Sequence, residues 1–287
     1  MAPLLYPSRR FPHTAGVRLA EKLRVTPGRK VKLGDLETDA TPGFKQKPDV
    51  EAILRDTAAK MADLQYLMFA ENRRSLLIVL QAMDTGGKDG TIRHVLTGLN
   101  PAGVDVTSFK VPSAEEMEHD FLWRIHHAVP RRGDFGIFNR SHYEDVVVVR
   151  VHDLVPEPVW KKRYEMINQF ERHLVENGVT ILKFFLHISK AEQKRRLLAR
   201  IEDKTKQWKL SAADFAEREY WADYQEAYGD AVSRCSTEWA PWYVIPADKK
   251  WFRNLAVAEI MLETLQGMKM KYPKPTVDPA KLKLKLR

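Results

Sequence analysis

Two rhythms of apolar residues alternate along this chain. From Asp49 onward, Val50, Ile53, Leu54, Met61, Leu64, Leu67 and Met68 recur at helical spacing, which predicts an amphipathic helix ending near Asn72. Ser75 to Gln81 (SLLIVLQ) is short, apolar throughout and followed by glycines, the pattern of a buried strand. The alternation continues with a helix after Gly90, a strand at Val104 to Phe109, a helix from Ala114 to His127 and a strand at Phe135 to Asn139. A long helix is expected over Pro158 to Asn177, a strand over Thr180 to Ile188, and helices over Ala191 to Ile201 and Ala212 to Ser233. A short strand at Trp242 to Pro246 and a helix from Trp251 to Gln266 complete the series. Strands alternating with helices predict an α/β fold: a parallel sheet flanked by helices, with its ligand site at the carboxyl ends of the strands.

Outside this pattern, residues 1–47 are rich in Pro, Gly, Lys and Arg without periodicity, and read as an arm lying on the surface or partly disordered. Lys281 to Arg287 alternate Lys and Leu and read as a frayed tail. One domain over about residues 48–272 is expected, with the arm before it and a tail at 273–287.

The composition, 44% apolar and 30% charged, is that of a globular chain able to bury a core. A net charge of +9 points to a surface that attracts a polyanion: nucleic acid, anionic lipid or a phosphate chain. Cys235 is the single cysteine and reads as a small buried apolar residue. Pro3, Pro7, Arg9, Arg10 and Pro12 interrupt any apolar leader, and no apolar run approaches a bilayer's width. A soluble, cytoplasmic protein without a membrane partner is the expectation.

The chemistry concentrates in Q81-A-M-D-T-G-G-K-D-G-T91, between the buried strand and a helix. Gly86, Gly87 and Gly90 let backbone N–H groups face phosphate oxygens, Lys88 adds a point charge, and the helix N-terminus around Asp89 and Thr91 adds its dipole. The match to G-x-x-x-x-G-K-[ST] is incomplete: Ala82 replaces the first glycine and Asp89 the Mg²⁺-binding hydroxyl. A simple strand-to-helix turn is the competing reading. Asp84 favours the phosphate loop with a cation, since a carboxylate among phosphate-binding amides is repelled unless a metal such as Mg²⁺, or Mn²⁺, lies between.

A second cluster, I137-F-N-R-S-H-Y-E-D-V146, closes another strand. At this place Glu144 or Asp145 is a candidate for the metal and Arg140 for the transferred phosphoryl. Alternatively, Arg140 pairs locally with Glu144 or Asp145. His142 reads as a structural partner. A third stretch, Lys190 to Lys209, is strongly basic, with Arg196 and Arg200 on one helix face and Lys204 beyond. It reads either as a solvated helix or as a helical lid over about 190–212 that closes on phosphates, with Trp208 available to stack on a base. Arg93, Lys110, Arg124, Arg131 and Arg150 are the further candidates for a phosphate-chain channel.

The blocks A82-M-D-T-G-G-K-D-G90, D120-F-L-W-R-I-H126, F138-N-R-S-H-Y-E-D-V146, L182-K-F-F-L-H-I-S189 and A240-P-W-Y-V-I-P-A-D248 resemble the family-2 polyphosphate kinases. The resemblance implies a P-loop kinase fold with a helical lid, a Lys/Arg channel for inorganic polyphosphate, Mg²⁺, and assembly into dimers or tetramers. It further implies reversible transfer of the terminal phosphoryl of polyphosphate to AMP and ADP, giving ADP and ATP. By position, Asp84 resembles the family's metal-binding aspartate, Lys88 its phosphate lysine and Arg140 its transfer arginine. Glu144 is the second expected metal ligand, and Asn139, Tyr143, Asp145 and Trp208 are expected around the nucleotide. Asn139 stands where some members have Asp. The N-R-S-H-Y-E-D form resembles the class III branch, which accepts AMP and ADP, whereas ADP-only enzymes often have Asn where Glu144 stands. An ATP-dependent nucleoside monophosphate kinase needs fewer basic residues than this chain carries. A non-catalytic nucleic-acid binder is opposed by Asp84, Glu144 and Asp145.

Overall fold

A computed structural model describes residues 18–279, 282 and 283. Residues 1–17 of the expected arm, and residues 280, 281 and 284–287 of the tail, lie outside the described residues. Strands β1 (Ser75–Gln81), β2 (Val104–Ser108), β3 (Phe135–Asn139), β4 (Val179–His187) and β5 (Trp242–Pro246) form a 5-stranded sheet in the order β2-β3-β1-β4-β5. Every pairing is parallel, with Ile78 of β1 opposite Ile137 on one side and Leu182 on the other. β1 is central and buried at every position, which is why it lacks a polar alternation.

The helices are α1 (Leu19–Leu23), α2 (Val50–Glu71), α3 (Lys88–Val95), α4 (Ala114–Met117), α5 (Trp123–His127), α6 (Glu144–Val151), α7 (Glu157–Glu176), α8 (Lys190–Glu202), α9 (Ala212–Ala216), α10 (Trp221–Cys235) and α11 (Lys250–Gly267). One group packs α1, α2 and α3 around α11, and another packs α6, α7 and α10 together. Of the described residues, none belongs to a helix long and apolar enough to cross a membrane.

Three elements differ from the hydrophobic pattern, each for a local reason. The expected helix over 114–127 is two: Ser113 and Glu116 close a capping box on α4, and Asp120 accepts from Leu122 N at 2.9 Å to start a new turn before α5. The expected helix over 212–233 breaks between α9 and α10, where Glu217 accepts from Tyr224 at 2.6 Å and Arg218 donates to Gln193 of α8 at 2.5 Å. α6 was not expected. Its Val146 to Val149 run favours a strand by propensity, but burying Val146 and Val147 in the core, with Glu144 and Asp145 in the first turn, makes it helical.

The arm beyond residue 17 is part of the core. Leu19, Leu23, Val25 and Leu33 are buried, Val25 N bonds Trp242 O at 2.8 Å, and His187 Nε2 lies 2.9 Å from Leu33 O. Scattered apolar residues without a period thus contribute single anchors rather than a face.

Candidate active site

The sheet delivers its chemistry at the carboxyl ends of β1 and β3. After Gln81 the chain turns tightly, with Gly86 N bonded to Met83 O at 2.9 Å. A Cβ at Gly86 would lie 2.4 Å from Ala82 Cβ and 2.8 Å from Met83 O, so the turn closes only around glycine. Gly87 caps α3 at φ +102°. Thr85 also has positive φ, at 62°, a strained conformation for a β-branched residue that costs about 1–3 kcal/mol.

The outward carbonyls of this turn are held by α8. Gln193 Nε2 donates to Asp84 O at 3.1 Å, and Arg196 Nη1 donates to Thr85 O at 2.9 Å and Gly86 O at 3.0 Å. The first N–H groups of α3 have no intrahelical acceptor and carry the positive end of the helix dipole. Lys88, the first residue of α3, donates to Ala82 O at 3.1 Å. Burial, then the neighbouring Arg140, push its ammonium below the ordinary lysine range.

β3 is tied to β1 at its exit, where Arg140 N donates to Leu80 O at 3.1 Å. Arg140 has φ +64°, which turns its side chain back so that Nη2 meets Asp84 Oδ1 at 3.0 Å. Its direct partner is therefore Asp84 in the glycine-rich turn, not the adjacent Glu144 or Asp145. Glu144 opens α6 within the same electrostatic group: burial raises its pKa, opposed by Arg140 and Lys88. Asp84, Lys88, Arg140 and Glu144, singled out in the sequence, are thus assembled around one spot. Asn139 Nδ2 donates to Asp89 Oδ1 at 2.9 Å, and Lys209 Nζ lies 3.6 Å from Asp89 Oδ2. Burial raises the Asp89 pKa, but Asn139, Lys209 and Lys88 outweigh it and hold it low.

Several other expected residues are engaged elsewhere, and some stand exposed around the cluster. Arg131 pairs with Asp134 just before β3, at the opposite end of a strand roughly 16 Å long, so it does not reach this cluster. Tyr143 is fully buried, its hydroxyl bound to Glu171 and Lys183, which removes it from any nucleotide surface. Arg150 is spent on Asp230 at 2.7 Å and Glu226 at 2.5 Å and stacks on Trp160. Asp145 accepts from Arg163 at 3.1 Å and lies 3.9 Å from Arg124, which also donates to Lys110 O at 2.9 Å. Arg196 acts as the clamp behind the turn, and Thr91 donates to Gly87 O at 3.1 Å within α3. Arg200 pairs with Asp214 at 3.3 Å. Arg93, Lys110, Lys204 and Trp208 are exposed, with the Lys209 ammonium 5.1 Å from the Trp208 ring centre.

Two residues at the site were missed by sequence reasoning. Asp214 of α9 feels Asp84, Arg140 and Lys88, and its pKa is raised by burial and then by Asp84. Arg253 of α11 lies against Gly87 and Gly90. Its signal was a charge within the mostly apolar run W251-F-R-N-L-A-V257.

Among the described residues, no group of three or more His, Cys, Asp or Glu forms a ready cation cage. Asp84 and Glu144 nevertheless fit Mg²⁺, a hard cation usually held by one or two carboxylates and completed by water and substrate phosphates.

Similarity to known proteins agrees with this geometry. Residues 45–273 match the family described as Polyphosphate kinase 2. An AMP/ADP-polyphosphate phosphotransferase of Meiothermus ruber is 51% identical over 264 residues, covering 91% of this chain and 98% of that protein. An ADP-polyphosphate phosphotransferase of Rhodopseudomonas palustris is 47% identical over 279 residues, covering 93% and 96%. The crystal structure of Polyphosphate Kinase 2 from Arthrobacter aurescens superposes with a TM-score of 0.90 at 45% identity, covering 94% of this chain and 96% of that one. The parallel sheet with its glycine-rich turn and flanking helices is a P-loop kinase fold, and the chain belongs to the polyphosphate kinase 2 family.

Proposed function

We propose that this enzyme transfers the terminal phosphoryl of inorganic polyphosphate to AMP and then to ADP, reversibly. An acceptor phosphate oxygen bonds to the terminal phosphorus, the P–O bond to the rest of the chain breaks, and the shortened polyphosphate leaves. The observation that supports this reading is the pairing of Arg140 with Asp84 at 3.0 Å in the same electrostatic group as Lys88, the first residue of the glycine-capped α3.

In this reading the N-terminus of α3 and Lys88 hold phosphate oxygens, while Arg140 offsets charge on the transferring group. Asp84 and Glu144 would hold Mg²⁺, which would supply positive charge to offset the charge developing on the phosphates. The expected lid over about 190–212 meets the loop through Arg196 of α8 and through Lys209, which faces Asp89, and in this reading it excludes water. Arg93, Lys110, Arg200 and Lys204 guide the chain of phosphates, Trp208 stacks on the base, and Asn139 orients Asp89. The protein works in the cytoplasm as a homo-oligomer.

The two relatives at similar identity carry different acceptors in their names, AMP/ADP and ADP, so overall similarity does not choose between them. Glu144 does. In this reading its half-buried carboxylate, in the same electrostatic group as Arg140 and Lys88, orders a metal or water near the acceptor and lets the shorter AMP reach an in-line geometry. The test supplies AMP, polyphosphate and Mg²⁺ without ATP and separates the products over time. Wild type is expected to make ADP, then ATP, and Glu144→Asn to lose AMP phosphorylation much more than ADP phosphorylation. Equal loss of both steps would make Glu144 only a support for Arg140, and no conversion of AMP by wild type would defeat the dual-acceptor reading.

A further inference from the structure

The first turn of α3 leans on a charge that has no carboxylate partner among the described residues. Arg253 is 2% exposed, and its Nε and Nη2 both donate to Asn254 Oδ1, at 3.0 and 2.7 Å. That acceptor is a neutral amide. The charges that act on the guanidinium are themselves cations, Arg196 first and Lys250 besides. Burial and Arg196 together push the Arg253 pKa down to about 10.

The guanidinium lies directly against the loop. A Cβ on Gly87 would come 1.9 Å from Nη1 of Arg253 and 3.6 Å from Nη1 of Arg196, and one on Gly90 would come 3.3 Å from Nη2 of Arg253. Gly87 and Gly90 thus serve a second purpose besides turning the backbone: they admit a cation to the side of the helix N-terminus. Arg196 is offset by Glu192 at 2.7 Å and by the carbonyls it clamps. Among the described residues Arg253 has no such counterpart. A buried charge without a counter-charge opposes folding. An anion seated on the α3 N-terminus supplies what is missing.

We propose that Arg253 is a positioning residue of the phosphate loop: seated against Gly87 and Gly90 with only the Asn254 amide as partner, it holds an unneutralised positive field that a phosphoryl ligand completes. Anion binding at α3 is thereby coupled to the packing of α11. The inference rests on the reading of the loop as the phosphate site.

The coupling predicts that neutralising Arg253 helps the empty protein and harms the bound one. Asn254→Asp places a carboxylate on the guanidinium with nearly unchanged shape. Arg253→Met removes the charge, and Arg253→Lys restores it. Binding of tripolyphosphate with Mg²⁺ to the full chain is measured by calorimetry, together with the melting temperature with and without ligand. Asn254→Asp and Arg253→Met are expected to weaken binding about tenfold, the scale for unit charges on the order of 10 Å apart at intermediate dielectric. Asn254→Asp should melt no lower than wild type when empty, yet gain less from ligand, and Arg253→Lys should bind within about threefold of wild type.

A purely structural Arg253 would lower the melting temperature of Arg253→Met and leave tripolyphosphate affinity unchanged in both variants. That result, or failure of both variants to fold, overturns the proposal. Lys88→Ala separates the underlying reading. If it loses binding while Asn254→Asp and Arg253→Met keep it, the loop stands and the role of Arg253 falls; if Lys88→Ala binds normally, the loop reading itself falls.

Discussion

Two lysines, the fully buried Lys183 on β4 and the half-buried Lys88 at the start of α3, sit in opposite electrostatic circumstances. The ammonium of Lys183 has three hydrogens and three acceptors: Glu171 Oε2 at 2.5 Å, Cys235 O at 2.6 Å and the Tyr143 hydroxyl at 2.9 Å. Glu171 also receives the Tyr143 hydroxyl at 2.8 Å and lies 3.2 Å from His142 Nε2. Lys88 has one carbonyl at 3.1 Å, and its nearest carboxylates are shared with Arg140. A cation that holds the fold together is satisfied from within, whereas Lys88, with one carbonyl and shared carboxylates, is left short of partners and so favours an incoming anion.

The largest expected effect comes from breaking the satisfied group. Glu171→Gln leaves Lys183 buried without a counter-charge and should cost about 3–5 kcal/mol of stability, read from urea unfolding. Replacing both residues, Lys183→Met with Glu171→Leu, should cost less than Glu171→Gln alone, because no charge then remains. The pH dependence has a definite sign. Burial raises the Glu171 carboxyl pKa, but Lys183 and His142 outweigh it, so the folded value lies below the ordinary one. Its stabilising contribution is present above the ordinary carboxylate range and is lost as pH falls through the folded value. The Gln variant should therefore show a flatter loss of stability on acidification.

At the loop the expectation reverses. Lys88→Met should lower turnover about 10²- to 10³-fold, the scale for removing one preorganised donor to transition-state charge, while unfolding no more easily than wild type. The measurement is turnover at saturating polyphosphate and ADP beside a urea titration of the same sample. A drop in stability matching that of Glu171→Gln would erase the distinction between the two lysines.

The same contrast explains what could be read from the chain alone. β1, the glycine-rich turn and β3 are encoded over a few consecutive residues, so Asp84, Lys88 and Arg140 were identifiable with their neighbours. Their pairing partners were not, because Asp84 meets Arg140 across two strands and Lys183 meets Glu171 from a helix and a strand. Basic residues looked alike in sequence. Arg150 and Arg131 are neutralised by acidic residues, Arg196 is turned onto backbone carbonyls, and Arg253, in a helix far along the chain, reaches the loop. α6 was hidden because four consecutive valines favour a strand until the core claims two of them.

The smallest test lies at the rim, where a charge is neither buried and satisfied nor buried and unpaired. Asp89 accepts from Asn139 and faces Lys209 at 3.6 Å, with its side chain 71% exposed. An exposed pair of this kind contributes about 0–1 kcal/mol, so Asp89→Asn should leave unfolding nearly unchanged, since its side-chain oxygen can still accept from Asn139. What changes is a negative charge in the first turn of α3, the helix proposed to receive the phosphates. Its removal should lower the KM for polyphosphate about threefold at low salt, with the difference fading as ionic strength rises and the Debye length shrinks to about 8 Å at physiological salt. Initial rates across a salt series, with ADP saturating, measure this. A KM that rises instead, by the same factor at every salt concentration, would mean that Asp89 acts by holding Lys209 and its segment over the site, and the rim would then belong with the positioned groups rather than with the solvated ones.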